Sequence, residues 1–267
     1  MLVDSHCHLD AAEFGGDAAA IVQRAADEGV RWIVVPAVEV ANFDAVVALA
    51  ATLPNCVYAL GIHPMYVPQA QEDDLTLLRE RVSAAIGDPR LVGIGEIGLD
   101  FFIPELAQGA LRDKQEFFYA EQLKIARDFE LPAILHVRRS QDVLLKYLRR
   151  IRVKGGIAHA FNGSEQQAKA FIELGFALGF GGAMTFTRAL QIRRLAASLP
   201  PEAIVLETDA PDIAPAWLHP GVNTPAQLPR IAAVLAELRG RPLAEIASQT
   251  SMNVARVLPR LGSLMMA

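Results

Sequence analysis

The sequence predicts an α/β protein built as a single (β/α)8 TIM barrel with an extra C-terminal helical segment. The chain has 267 residues, close to the roughly 250 that one such barrel needs. Eight short apolar runs alternate with eight longer stretches whose apolar residues recur at helical spacing. Histidines and carboxylates follow the apolar runs, and in a parallel barrel all those positions lie on one rim.

The apolar runs are interpreted as parallel strands buried on both faces, because they are continuous and do not alternate with polar residues. They cover residues 2–4, 32–35, 57–60, 91–94, 133–135, 156–158, 177–180 and 203–206. The predicted helices cover residues 16–28, 43–52, 73–86, 112–129, 141–150, 164–174, 188–198 and 226–239. Residues 242–261 are expected to form a further helix or helical pair that closes the structure. An open doubly wound sheet is the alternative, but no GxGxxG motif follows the first run.

Composition restricts the class of protein. The net charge is −5, which argues against a protein that coats long nucleic acids and implies that any such substrate is held locally. The two cysteines are too few for a disulfide framework or a four-thiolate metal site. The N-terminus lacks a basic region followed by an apolar stretch, and no apolar run suggests a membrane span. We therefore expect one cytoplasmic domain, residues 1–267, with no obligate protein partner.

Six residues near the predicted strand ends are candidate metal ligands: His6, His8, Glu96, His136, His159 and Asp209. Side chains at positions i and i+2 of a strand point the same way, so His6 and His8 would both face the barrel axis. Cys7 would point outward, as a packed thiol. A surface histidine pair is the alternative for His6 and His8 taken alone.

Each of the other candidates also has a structural alternative. Glu96 follows an apolar run and would need an ion-pair partner or cations to offset its burial. His136 and His159 are compatible with core histidines that bond a carbonyl, and Asp209 with a helix cap or turn. Glu207 shares a face with Asp209 and would support it or pair with a cation. The gathering of all these groups on one rim favours metal ligation.

Six nitrogen and oxygen ligands without a thiolate suit a pair of divalent cations such as Zn, Mn or Mg. Two cations a few ångströms apart ionise a bridging water at neutral pH and bind the oxygens of a scissile phosphate or carbonyl. A non-catalytic scaffold on a degenerate barrel would be expected to lack part of this set, and no position is missing.

Six motifs resemble, in order and spacing, those of the TatD-type metal-dependent hydrolases, and within that family the YjjV-like branch. They are DSHCHLD, GIHP, GEIGLD, ILHVRRS, AHAFNGS and LETDAPD. The resemblance covers nearly the whole chain and implies an amidohydrolase-like barrel. It also implies deoxyribonuclease activity, including 3′→5′ exonuclease action, with DNA or another phosphodiester as substrate.

The resemblance further implies individual roles. His6, His8 and Asp209 would hold one metal ion, His136 and His159 the other, and Glu96 would bridge both. His63 would contact a substrate phosphate. Asp209 would also act as general base for the attacking water.

Two stretches depart from the family pattern. Val222 precedes Asn223-Thr224-Pro225 where many relatives carry a basic residue, and Asn162 precedes Gly163 where Ser or Thr is frequent. Three arginines are candidates for phosphate binding: Arg138, Arg139 and Arg188. The alternative is that they are ordinary solvated surface arginines.

Two functions are compatible with these observations. One is a phosphodiesterase that acts on nucleic-acid ends, and the other is a metal-dependent amidase or esterase that acts on a small molecule or an aminoacyl ester.

Overall fold

The computed structural model describes residues 1–267. The strands are β1 (Leu2–Asp4), β2 (Val30–Pro36), β3 (Cys56–Leu60), β4 (Leu91–Asp100), β5 (Ala133–Arg138), β6 (Gly156–Ala158), β7 (Phe176–Phe180) and β8 (Ile204–Leu206). The helices that alternate with them are α1 (Ala18–Asp27), α2 (Phe43–Thr52), α3 (Glu72–Ala85), α4 (Gly109–Asp128), α5 (Gln141–Arg150), α6 (Glu165–Glu173), α7 (Leu190–Ser198) and α8 (Leu228–Arg239). Two more, α9 (Leu243–Val257) and α10 (Pro259–Met266), follow.

All strand pairs are parallel, and the order in the sheet is the order in the chain, from β1 to β8. The barrel closes beyond the short ends of β1 and β8. There Ser5 N donates to Leu206 O at 3.1 Å, Asp209 N to His6 O at 2.9 Å, and His8 N to Ala210 O at 2.8 Å. The nearly closed eight-stranded barrel confirms the predicted fold class, and the same bonds draw His6, His8 and Asp209 to one rim.

Strand β4 is longer than predicted. The apolar run 91–94 suggested that Glu96 follows the strand, but β4 continues to Asp100 and Glu96 lies within it. The predicted end of this strand was wrong because the stretch after Ile94 contains glycines and acidic residues and so does not continue the apolar run. A register shift between Ile94 and Ile97 lets the strand continue alongside β5. The predicted order of strands and alternating helices otherwise matches the structure, with bounds that differ by at most three residues.

The C-terminal helices close the end of the barrel opposite the histidines. A cluster of buried residues inside the barrel includes one apolar residue from most strands, such as Val3, Val34 and Val205, and it extends to Val257 and Leu261 of the last two helices. The larger apolar cluster lies between the sheet and the surrounding helices. The predicted closing helical pair is therefore confirmed, and it leaves the other rim open for chemistry.

None of the helices combines the length and the apolar character needed to cross a membrane.

Candidate metal centre

Glu96 lies at the centre of a cluster that contains all six predicted ligands. Its Oε2 atom is 3.2 Å from His6 Nε2 and 3.5 Å from His8 Nε2. Asp209 Oδ1 lies 3.6 Å from His6 Nε2 and 3.7 Å from His8 Nε2. The segments that follow β1 and β8 thus bring imidazole and carboxylate atoms to the Oε2 side of Glu96.

A second group surrounds the other oxygen of the same carboxylate. Glu96 Oε1 lies 2.9 Å from His136 Nδ1, 3.1 Å from His159 Nε2 and 3.3 Å from His63 Nε2. His63, expected from the resemblance to contact substrate, therefore lies among the candidate ligands, with its Nε2 only 3.0 Å from His136 Nδ1. Glu96 is nearly fully buried, and its carboxylate contacts histidines of both groups, one through each oxygen.

The spacing of these atoms fits divalent cations. Four atoms held tetrahedrally at zinc–nitrogen and zinc–oxygen distances lie about 3.3 Å from one another. His6 Nε2 and His8 Nε2 each lie 3.2–3.7 Å from the other ligand atoms on the Oε2 side. The two histidine Nε2 atoms of the first strand lie 3.2 Å apart, and as acceptors they would repel each other unless a proton or a cation lay between them. The donor set, all nitrogen and oxygen, suits Zn, Mn or Mg.

Alternation along the first strand and its extension positions two of the ligands. His6 and His8 face the cluster, whereas Cys7 is fully buried in the outer apolar layer with its Sγ 3.6 Å from Ala210 O. This confirms the predicted directions, and both cysteines are free and buried. Asp4 anchors the segment because its Oδ1 accepts from the backbone N of His6 at 3.3 Å and of Thr208 at 2.9 Å.

Asp209 has a backbone conformation that favours its position in the cluster. Its φ of 55° lies in the left-handed region, which Asp and Asn tolerate better than most residues. This turn directs the side chain toward His6 and His8, and no helix begins at Asp209. The helix-cap alternative is therefore wrong.

Two buried carboxylates lie behind the histidines. Asp100, which is not among the residues predicted from the sequence, has its Oδ2 3.0 Å from His136 Nε2. The signal in the sequence was its even spacing from Glu96, which places both side chains on one face if the strand continues to Asp100. Glu207 Oε1 lies 3.5 Å from His159 Nδ1 and accepts a hydrogen bond from Ala160 N. The supporting role expected for Glu207 thus concerns His159 more directly than Asp209.

Two glycines make these contacts possible. Gly98 pairs with His136 in the sheet and has a φ of 146°, and a Cβ there would lie 2.3 Å from His136 O. A Cβ at Gly179 would lie 2.1 Å from Glu207 Oε2. Larger side chains would displace the groups that orient His136 and His159.

The pKa values of the two ligand carboxylates are shifted in opposite directions. Burial disfavours the charged form of Glu96, but nearby His63, His159 and His6 outweigh it and hold its pKa well below the ordinary value. Burial raises the pKa of Asp209 to about 6, although His159 and His8 act against the shift. Because metal ligation requires deprotonated ligands, bound cations would replace the protons that the cluster holds.

The three predicted arginines lie on the same rim but outside the cluster. Arg138 is exposed, and its Nη1 is 3.6 Å from Asp100 Oδ2. Arg139 is exposed and follows β5 directly. Arg188 is exposed and lies beside Phe186, with 5.4 Å between its Cζ and the ring centroid. The structure thus brings Arg138 nearest to the candidate ligands.

Comparisons with known proteins agree with this geometry. The family model described as TatD related DNase matches residues 3–259. The uncharacterized metal-dependent hydrolase YjjV of Escherichia coli (strain K12) is 41% identical over 252 residues, which cover 94% of this chain and 95% of that protein. The 3′-5′ ssDNA/RNA exonuclease TatD of Klebsiella pneumoniae (strain 342) is 30% identical over 264 residues, covering 95% and 96%.

The crystal structure of the TatD homologue YjjV from Escherichia coli K12 matches with a TM-score of 0.90 and 39% identity, over 97% of this chain and 98% of that one. The match in fold and sequence extends over nearly all of the barrel that carries the buried histidines and carboxylates. The chain therefore belongs to the TatD family of metal-dependent hydrolases.

Proposed function

We propose that the protein is a divalent-metal-dependent phosphodiesterase that removes nucleotides from the 3′ end of nucleic acids. The observation that carries the proposal is the position of Glu96, whose two oxygens face two separate groups of candidate ligands. Two cations that share a carboxylate are a recurrent arrangement in enzymes that cleave phosphodiesters. A relative 30% identical to this chain carries the name 3′-5′ ssDNA/RNA exonuclease.

The residues divide into two ligand groups. His6, His8 and Asp209 would hold one ion, His136 and His159 the other, and Glu96 both. When bound, the ions would supply Lewis acidity, lowering the pKa of water and neutralising charge on the phosphate oxygens. His63 lies close enough to Glu96 and His136 to serve as a further ligand or to orient the phosphate.

Asp209 is the best-placed proton acceptor. Its exposed fraction is 9%, compared with 1% for Glu96 and for Glu207, so it is the carboxylate of the cluster nearest the cleft. A positioned carboxylate can accept a proton from a reacting group in the transition state. Asp209 would take the proton of the attacking water and release it to the departing oxygen.

A second candidate function is supported by the acidic part of the rim. The pKa of Tyr66 is raised by its burial and by four nearby carboxylates, those of Glu39, Asp10, Glu13 and Asp212. Negative potential on that side would repel a polyanion and attract an ammonium group. A metal-dependent esterase or amidase for a cationic acyl substrate, such as an aminoacyl ester, would exploit this feature.

One assay set separates the two candidates. Protein freed of metal is reconstituted with Mg, Mn or Zn and incubated with 5′-labelled single- and double-stranded DNA, in parallel with a panel of esters and amides. We expect shortening of the labelled strand from its 3′ end with at least one metal and little turnover of the panel. Turnover of aminoacyl esters without any DNA cleavage would replace the proposal with the second candidate.

A further inference from the structure

An exposed aromatic ring is in contact with two guanidinium groups on the rim beside the candidate metal centre. Phe102 follows β4 and has an exposed fraction of 45%. Arg138 Cζ lies 3.9 Å from the centroid of its ring, and Arg139 Cζ lies 4.7 Å from the same centroid. A cation over an aromatic face is attracted by the ring's quadrupole, so Phe102 restrains both arginines.

The group is connected to the ligand cluster by one carboxylate. Asp100 Oδ1 accepts from the backbone N of Phe102 at 2.9 Å, which fixes the start of the loop that carries the ring. The other oxygen, Oδ2, lies 3.0 Å from His136 Nε2 and 3.6 Å from Arg138 Nη1. Arg138 is therefore connected to the candidate metal centre, and Arg139 lies over the same ring as Arg138.

Arg139 has an unfavourable backbone conformation. Its φ of 56° lies in the left-handed region, where a long non-glycine side chain is uncommon. The strain is retained because the next residue is fixed: Ser140 Oγ donates to Leu99 O at 2.6 Å. Strained residues of this kind cluster at functional sites, and this one directs its guanidinium back over Phe102.

Neither arginine is neutralised effectively. Arg139 makes no ion pair, and the single ion pair of Arg138 is the 3.6 Å approach to Asp100, which His136 also engages. Guanidinium groups bind phosphate through two parallel N–H donors. Two restrained guanidiniums with free donors beside a hydrolytic centre make a site for a second anionic group of the substrate.

We propose that Phe102, Arg138 and Arg139 form a subsite for the phosphate that flanks the scissile one in a single-stranded oligonucleotide. The subsite rests on the proposed function and adds a requirement for a substrate with more than one phosphate. Phe102 is a positioning residue that orients the two guanidiniums, which contact the phosphate.

The test compares substrates with and without the flanking phosphate. Thymidylyl-thymidine contains only the scissile phosphate, whereas oligothymidylate of ten residues contains flanking phosphates as well. Arg139→Gly removes the guanidinium and relieves the backbone strain, since glycine adopts positive φ freely. We expect the KM of this variant for the decamer to rise about tenfold, the scale of one charged hydrogen bond. Its KM for the dinucleotide should not rise, and its melting temperature should not fall.

Two further variants complete the kinetic test. Phe102→Ala should raise the KM for the decamer, and Phe102→Tyr, which keeps an aromatic face, should restore it. Arg149→Ala on α5 removes the same charge from an exposed position and is the matched control. The proposal is overturned if Arg139→Gly changes both substrates equally, or changes the decamer no more than Arg149→Ala does.

Binding is measured separately, so that failure of the subsite is distinguished from failure of the proposed function. Fluorescence anisotropy with a labelled phosphorothioate decamer gives the Kd at several salt concentrations. The slope of log Kd against log salt should be smaller for Arg139→Gly by about 0.7, the change for one lost phosphate contact on a single strand. An unchanged Kd and slope would reject the subsite even if wild type hydrolyses DNA. A changed slope without any hydrolysis would reject the phosphodiesterase instead.

Discussion

His136 is held between two carboxylates, with Nε2 3.0 Å from Asp100 Oδ2 and Nδ1 2.9 Å from Glu96 Oε1. The sheet register explains the arrangement, because His136 pairs with Gly98, which lies midway between the two acids in β4. Asp100 favours the tautomer with its proton on Nε2, which leaves the Nδ1 lone pair for a cation on the Glu96 side.

Asp100→Asn is expected to weaken metal binding in the His136 group without unfolding the protein. Asp100 accepts from the backbone N of Phe102 and Ile103 through one oxygen and faces His136 with the other. The single amide oxygen of asparagine cannot serve both. Loss of such a carboxylate–histidine contact typically lowers metal affinity 10–100-fold. Calorimetric titration of metal-free protein should show one weakened site and one unchanged site, and two unchanged sites would exclude the positioning role.

Gly98→Ala is expected to destabilise the protein by several kcal/mol, since a buried Cβ would lie 2.3 Å from His136 O. The positive φ of Gly98 adds to the cost. Urea denaturation measures the loss. The control is Gly87→Ala, at an exposed glycine where a Cβ would meet no atom within 4 Å. Equal stability of the two variants would show that β4 and β5 separate easily at this point.

Asp4→Asn is expected to stabilise the metal-free protein at alkaline pH. Burial raises the pKa of Asp4 to about 7, compared with about 3.9 in an unfolded chain. As pH rises from about 4 to about 7, the unfolded chain releases a proton that the folded protein retains, so the unfolding free energy of wild type falls. Above pH 7 both states have released the proton, so the decrease in unfolding free energy is constant. Asparagine does not titrate, so Asp4→Asn does not show this decrease.

The expected advantage of Asp4→Asn is up to about 4 kcal/mol at pH 8, and it disappears below about pH 4. Denaturation of both proteins in chelator at several pH values gives the curve. A difference that does not vary with pH would mean that Asp4 ionises as easily in the folded protein as in the unfolded chain.

Leu261→Ala is expected to cost about 2–5 kcal/mol of unfolding free energy, the usual range for truncation of a fully buried leucine. Leu261 of α10 packs against the apolar residues inside the barrel, at the end opposite the ligands. Metal content should not change. Met266→Ala, at a position 84% exposed, is the control. A loss of metal together with a small loss of stability would contradict the separation of the two ends.

The parts of this structure that follow from local patterning were predictable from the sequence. Alternation in the first strand correctly placed His6 and His8 on one side and Cys7 on the other, and strand ends that converge brought Asp209 to them. The full length of β4 was not predictable, because its second half contains glycines and acids, whose burial depends on partners in β5.

Side-chain contacts between β4 and β5 could not be predicted from the sequence either. Asp100 matters because of its distance to His136, and Phe102 because two arginines from β5 and its end cover its ring. Both relationships depend on the register between β4 and β5, which are separated in the chain by the whole of α4. A periodicity in one strand contains no information about that register.

The measurement that tests the account most directly pairs metal content with phosphodiester turnover on the same samples of wild type and Asp209→Asn. Asparagine tolerates the left-handed backbone of Asp209 and keeps one oxygen for a cation, but it cannot accept a proton. We expect wild type with its metal restored to shorten 5′-labelled single-stranded DNA from the 3′ end. Asp209→Asn should retain most of the metal and lose about 10²–10⁴-fold in turnover. Full metal content with near-wild-type turnover in Asp209→Asn, or no DNA cleavage by fully metallated wild type, would contradict the account.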